Sequence, residues 1–308
     1  MKEERALRVA SEAALVLASA LFLLPVALVF FTAFKPEREI LEFSGLLPRD
    51  WTLGNFRELM GLADEAPVWR WLLNSAGIST AVTLGVLLVD SLAAYGLARL
   101  RPPGGKVVPG VIIGAMMLPA PLFLVPVYLQ LAWIGWIDTP LALIVPPLAG
   151  AFGVFLLHQF FLAVPRDLEE AAAMDGSSAL GIYWRVGLPL VKGGLAALAI
   201  LVFIGTWNDF MGPLVYMDSV EKYTLPVGIA LFQTSYYAEY GLTLAASVVC
   251  TAPILLFFLL FQRQIVESLA FRAPITMTRC SWGAGAARGG TPRPGAPIMA
   301  QPLVPDDL

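Results

Sequence analysis

The chain has 308 residues, of which 58% are hydrophobic and only 14% charged, with a mean hydropathy of +0.74. A water-facing surface needs about 25% charged residues, so a soluble enzyme is excluded, as is a disordered scaffold. Twenty Lys and Arg against 23 Asp and Glu give a net charge of −3, which excludes a basic nucleic-acid binder; two cysteines cannot build a disulfide framework or a four-ligand zinc site. The composition is that of an integral membrane protein.

A spanning helix needs about 20 mostly apolar residues. Six stretches qualify, at about 10–34, 72–97, 107–133, 141–163, 193–211 and 242–262. They are apolar all round and too long for barrel strands, so the expected fold is all-α with six transmembrane helices. Residues 1–9 precede the first span. Its basic start (Lys2, Arg5, Arg8) resembles a signal peptide, but the apolar core is too long and lacks a cleavage site, so it reads as a retained span. The third stretch carries Pro109, Pro119, Pro121 and Pro126 and cannot be straight; it is either a kinked packing helix or a bend along a translocation path. Counting Lys and Arg near the span ends puts fourteen on the N-terminal side and six opposite, which favours both termini in the cytoplasm.

The external loop 35–71 has room for a short helix, Leu53 to Leu62, with Asn55 as its cap. A second external region runs from Pro213 to Tyr240 and carries interfacial tyrosines Tyr236, Tyr237 and Tyr240. The tail 271–308 is rich in Gly, Pro and Ala and is expected to be disordered.

The informative segment is the polar loop 164–190, on the N-terminal side. Pro165 can open a helix; Asp167, Glu169 and Glu170 suit its first turn; Gly176 can end it. Ser177 or Ser178 can cap a second short helix toward Arg185, which Pro189 should stop. The result is an elbow lying along the membrane, with a ridge of small residues, Ala171 to Ala173, that a partner backbone could approach closely.

Glu170-Ala171-Ala172, three residues, Gly176, nine residues, and Val186-x-Leu188-Pro189 resemble the EAA loop of permease subunits in binding-protein-dependent ABC importers. Val186 replaces the usual Ile. Asp138-Thr139, Phe160-Phe161, Gly205-Thr206-Trp207-Asn208-Asp209-Phe210 with Pro213-Leu214, Thr224-Leu225-Pro226 and Asn74-Ser75 are similar to the carbohydrate branch, MalG-like, over roughly 10–270. The resemblance implies the type I ABC importer permease fold within 72–270, in a bacterial or archaeal plasma (inner) membrane. It also implies a sugar importer with a second, MalF-like permease, two cytoplasmic ATPases and an external solute-binding protein. Glu170, Ala171, Ala172, Asp175, Gly176, Leu188 and Pro189 would then contact the ATPase. ATP and Mg would be used by that partner. No phosphate-binding loop exists here, since the sole Gly-Lys, Gly105-Lys106, lacks the flanking glycine and hydroxyl; no cofactor, metal or catalytic residue is expected in this chain.

Trp207, Asn208 and Asp209 are either contacts on the solute path, where Trp offers a flat face and Asn and Asp bind hydroxyls, or a structural cap at a span end. Asp90 reads as a bundle-facing residue, and the lone His158 and Cys250 read as packing. The rivals are a permease for a polyamine or peptide, an ion-coupled secondary transporter, against which the absence of repeats and central charges speaks, and an intramembrane enzyme, for which no reactive pair exists.

Overall fold

The computed structural model of the chain describes residues 2–42, 45–61, 66–100, 103–105, 107–235 and 240–270. The tail 271–308, Tyr236, Tyr237 and Leu62 lie outside them. Every regular element among the described residues is helical.

The first helix, α1 (Lys2–Ala33), runs through Pro25. Its apolar part, Ser11–Ala33, is long enough to span a bilayer, and the most hydrophobic 18-residue stretch of it buries nothing against the rest of the chain. Such a surface is stable only in lipid or against another protein. Two short helices follow, α2 (Glu37–Leu41) and α3 (Gly54–Gly61). The expected helix at 53–62 is present, but its expected cap is not. Asn55 is buried and donates to the carbonyls of Ala33 (2.8 Å) and Lys35 (2.9 Å), tying α3 to the end of α1. The Thr52 hydroxyl instead accepts from the Gly54 amide at 2.9 Å. A buried side-chain amide gains more from two orphan carbonyls than from one solvated helix start.

Helix α4 (Val68–Tyr95) continues through a π turn, Gly96–Leu100, as one 33-residue apolar rod. It is long and apolar enough to cross a membrane by itself. The third stretch is broken, as its prolines require. It forms α5 (Val108–Met116), a 3-10 turn at Ala120–Phe123 and α6 (Leu124–Trp133), with a 96° bend between the two halves. The fourth stretch divides into α7 (Leu141–Ile144), a 3-10 turn at Pro146–Ala149 and α8 (Ala151–Ala163), bent by 44°. Next come α9 (Asp167–Met174), α10 (Ala179–Ile182), a π turn at Tyr183–Gly187 and α11 (Leu188–Leu190). A 77° bend at Val191 leads into α12 (Lys192–Trp207). The last elements are α13 (Met211–Tyr216), α14 (Leu225–Ser235) and α15 (Tyr240–Ala270). The fifth stretch therefore ends at Trp207, not at 211, because Asn208–Phe210 turn the chain into α13.

The core forms where α4 packs on α8 and α12. Val82, Val86, Tyr95, Leu157, Phe161, Tyr183 and Leu198 are buried there. A second cluster joins α4, α12 and α15 around Trp71, Trp207, Leu225 and Leu242. One face of α4 carries buried polar groups that hold neighbours in place: the Ser75 hydroxyl accepts from the Leu225 amide (2.8 Å), and Ser91 and Tyr183 share a 2.7 Å bond. Asp90 does face the bundle, 1% exposed, and Gly153 makes room for it; a methyl at that glycine would stand 1.9 Å from its carboxylate.

Candidate functional site

The 164–191 elbow shows how the sequence places functional side chains. The backbone carbonyl of Arg166 receives the amides of Glu169 (2.9 Å) and Glu170 (3.0 Å), which starts α9 two residues past Pro165. Asp167, Glu169 and Glu170 fill its first turn, where the helix dipole favours negative charge. At the far end Gly176 adopts φ +83°. Its amide bonds to the Ala173 carbonyl (3.0 Å) and the Ser177 amide to that of Ala172 (3.1 Å), the paired pattern of a Schellman stop. The Ser178 hydroxyl then accepts from the Gly181 amide (3.2 Å) and begins α10. Pro189 does not end this run, contrary to expectation. The π turn at Tyr183–Gly187 precedes it and α11 begins at Leu188, so a proline without an amide hydrogen sits in a first turn, where none is needed.

What holds the elbow is a contact the sequence did not display. Arg99 Nε donates to Glu169 Oε1 at 2.8 Å, with the two side chains only 6% and 11% exposed. The same guanidinium donates to the Val164 carbonyl (2.9 Å), while Arg166 donates back to the Ala98 carbonyl (3.2 Å). Two arginines thus lash the end of α4 to the start of α9. Beneath them Tyr95 packs edge-on against Phe161 (5.4 Å) and tilted against Tyr183 (5.2 Å). Gly187 fits below this cluster, where an added methyl would meet the Tyr95 ring at 3.3 Å. Nothing in the order of residues joins Arg99 to Glu169, 70 positions away; only a surplus of basic residues after the second stretch hinted at a use.

The elbow's outer face has no partner among the described residues. Glu170, Ala171, Asp175, Gly176 and Pro189 are exposed, and Ala172 and Leu188 are half-buried. Beside them stand large apolar side chains in the open: Leu168 at 48%, Leu180 at 61% and Met174 at 89% exposure. Glu169 and Glu170 are neighbours in sequence but opposite in use. The first is consumed internally, and the second is presented outward.

The three residues at the end of α12 are separated. Trp207 is buried, 2% exposed, and stacks on Phe203 at 5.8 Å inside the second cluster. Asn208 donates to the Ile204 carbonyl (2.8 Å) of its own helix. Asp209 accepts from the Gly212 amide (3.3 Å) and starts α13. Its carboxylate also borders two cavities, one of about 150 Å³ with Thr206 and Thr224 and one of about 270 Å³ in the crook of α6. Among the described residues no group of three His, Cys, Asp or Glu side chains stands where it could hold a metal.

At the other end of α4 a second assembly fixes the segment Asp218–Thr224. Asp138, at φ 58°, accepts from the amides of Asp218 (3.1 Å) and Ser219 (3.0 Å), the Ser219 hydroxyl (2.6 Å) and the Lys222 ammonium (2.7 Å). Lys222 and Ser219 hold its carboxyl well below the usual carboxylate range. From the α4 side, Trp71 Nε1 donates to the Val220 carbonyl (2.7 Å), Asn74 to those of Glu221 (2.9 Å) and Tyr223 (3.1 Å), and Arg70 pairs with Glu221.

Residues 81–270 match the family described as Binding-protein-dependent transport system inner membrane component. The diacetylchitobiose uptake system permease protein NgcG of Streptomyces coelicolor is 33% identical over 84% of this chain and 86% of its own length. The trehalose transport system permease protein SugB of Mycobacterium tuberculosis is 35% identical over 80% and 90%. Among solved structures, a chain of a bacterial ABC transporter involved in import of the acidic polysaccharide alginate superposes with a TM-score of 0.74, at 22% identity, over 85% of this chain and 98% of that one. The chain belongs to the family of binding-protein-dependent inner-membrane transport components, and it is a multi-pass inner-membrane protein of the ABC permease class. The MalG-like resemblance stands.

Proposed function

We propose that this chain is one of two permease subunits of an ATP-driven sugar importer, and that its 164–190 elbow is the socket for a cytoplasmic ATPase. Six membrane passes with both termini inside complete the proposal, the fifth ending at Trp207. The bent third and fourth stretches each count as a single pass, α12 is the fifth and α15 the last. ATP and Mg are consumed by the partner ATPase, and an external binding protein delivers the solute to this chain and a second, MalF-like permease.

The observation that carries this reading is the contrast within α9. One carboxylate is locked to Arg99 so that the elbow moves rigidly with α4, and the next face offers Glu170, small alanines, Leu168 and Met174 to a partner. A segment braced in this way transmits a rigid-body displacement rather than absorbing it. Sugar as cargo is supported by the relatives, whose names specify diacetylchitobiose, trehalose and arabinooligosaccharides. For the solute path, Asp209 is retained from the sequence-named trio because it faces cavities. Asn208 is exposed but engaged with its own helix, and Trp207 serves packing. The test is reconstitution of the chain with its neighbouring permease, ATPase and binding protein in vesicles. Sugar-loaded binding protein should raise ATP turnover, and Glu170→Lys should abolish that stimulation while the protein stays in the membrane. Stimulation by a loaded polyamine- or peptide-binding protein alone, or uphill uptake by this chain without nucleotide, would overturn the reading.

A further inference from the structure

A cavity of about 670 Å³ lies outside the elbow. It is a groove between the end of α1 and the start of α15, walled by Leu28, Thr32, Ile40, Leu41, Leu46 and Tyr240, and Lys35 is its one charged wall among the described residues. Lys35 is 3% exposed, and its Nζ donates to the Gly45 carbonyl at 2.5 Å. An ammonium has three protons to donate, and a desolvated one is costly unless an anion faces it. No described carboxylate forms an ion pair with it. The nearest acids in sequence have other work: Glu37 accepts from the amides of Tyr240 (2.9 Å) and Gly241 (2.7 Å), and Glu39 accepts from the amide of Arg49 (2.8 Å).

The groove also has a direction. Leu28 and Thr32 lie on the membrane-buried helix, and Lys35 follows just past its end at Ala33. From Leu28 to Lys35 is roughly 10 Å along a helix, which carries the groove from the hydrocarbon edge into the headgroup layer. Tyr240, at the rim and 59% exposed, has the amphipathic character of an interfacial anchor, and Leu41 and Leu46 extend the apolar wall beside it. A cation at headgroup depth above an apolar trough matches one kind of ligand.

We infer that this groove is a binding site for an anionic phospholipid, its phosphate paired with Lys35 and the upper part of an acyl chain lying along Leu28, Ile40 and Leu46. Charge complementarity selects the occupant: an apolar partner helix would fill the trough but leave the ammonium without a counter-ion. The site serves to pin α1, whose most hydrophobic stretch buries nothing within the chain, to the start of α15.

Native mass spectrometry of the assembled transporter decides the matter, with phosphatidylglycerol and phosphatidylcholine of identical chains titrated in parallel. One lipid should be retained with a preference for phosphatidylglycerol of about tenfold or more, the scale of a charge-assisted hydrogen bond. Lys35→Gln should erase the preference and Lys35→Arg should keep it. Leu46→Trp, which fills the trough without touching the charge, should weaken retention of both lipids. Equal retention of the two lipids, an unchanged preference in Lys35→Gln, or no effect of Leu46→Trp would overturn the proposal. So would displacement of the lipid by inorganic phosphate alone, or absence of the adduct from the assembled complex when the isolated chain carries it. Transport activity is not the readout, so this test and that of the elbow fail independently.

Discussion

The two ends of α4 are fastened in opposite ways. At the Arg99 end one buried ion pair holds a segment whose outward surface sets Glu170 and Asp175 beside open apolar side chains. At the Arg70 end a carboxylate with four hydrogen-bond donors and several backbone carbonyls closes a segment on itself, leaving ion pairs such as Arg70–Glu221 in solvent, 61% and 70% exposed. The first arrangement leaves a face open. The second is complete alone. Where a chain places its scarce buried charge therefore separates a segment with an open outer face from one closed on itself.

The contrast can be broken most severely at Glu169. Glu169→Gln leaves Arg99 buried without its counter-charge, and a loss of about 3 kcal/mol is expected from breaking a buried pair on one side. Thermal unfolding in detergent should fall by several degrees, and the ATPase should no longer co-purify. A double change, Arg99→Met with Glu169→Met, should recover most of the stability. Gly176→Val tests the same elbow from its turn. A β-branched residue at φ +83° costs about 1–2 kcal/mol, and the effect should appear as faster proteolysis near Gly176 rather than as global unfolding.

At the other end, Asp138→Asn keeps a residue that tolerates positive φ but removes the charge facing Lys222, and about 1 kcal/mol is the expected loss. Its acid dependence has a definite sign. Because the folded carboxyl is held below its unfolded value of roughly 3.9, the stabilisation is present at neutral pH and is lost only as pH falls below about 4. Unfolding temperature measured from pH 7 to pH 3 should drop less steeply in Asp138→Asn. Glu221→Gln should be the mildest change, within about 0.5 kcal/mol and smaller still in high salt, since exposed pairs contribute little. An effect of Glu221→Gln as large as that of Glu169→Gln would erase the distinction between the two ends.

These residues also mark what a one-dimensional reading can reach. The Gly176 stop and the broken third stretch were legible because glycine and proline act locally on φ and on a single hydrogen bond. The 96° angle of that break was not, since it depends on what packs against each half. The Pro189 stop failed because a π turn two residues earlier changed the hydrogen bonds that proline would have removed. Asn55 failed because buried carbonyls 20 and 22 residues away outbid a helix start. Trp207, Asn208 and Asp209 read as a group in sequence, yet the chain leaves its helix there and sends them to separate environments. The Arg99–Glu169 pair was invisible for the plainest reason: its partners meet only after four helices have packed.

The decisive measurement is a pair of cross-links in the assembled transporter, with Cys250 and Cys280 first replaced by serine. A cysteine at Ala171, on the open face of α9, should form a short cross-link to the ATPase whose yield changes with nucleotide, and a cysteine at Ser219 should form none. A cross-link to the ATPase from Ser219 and none from Ala171 would contradict the account.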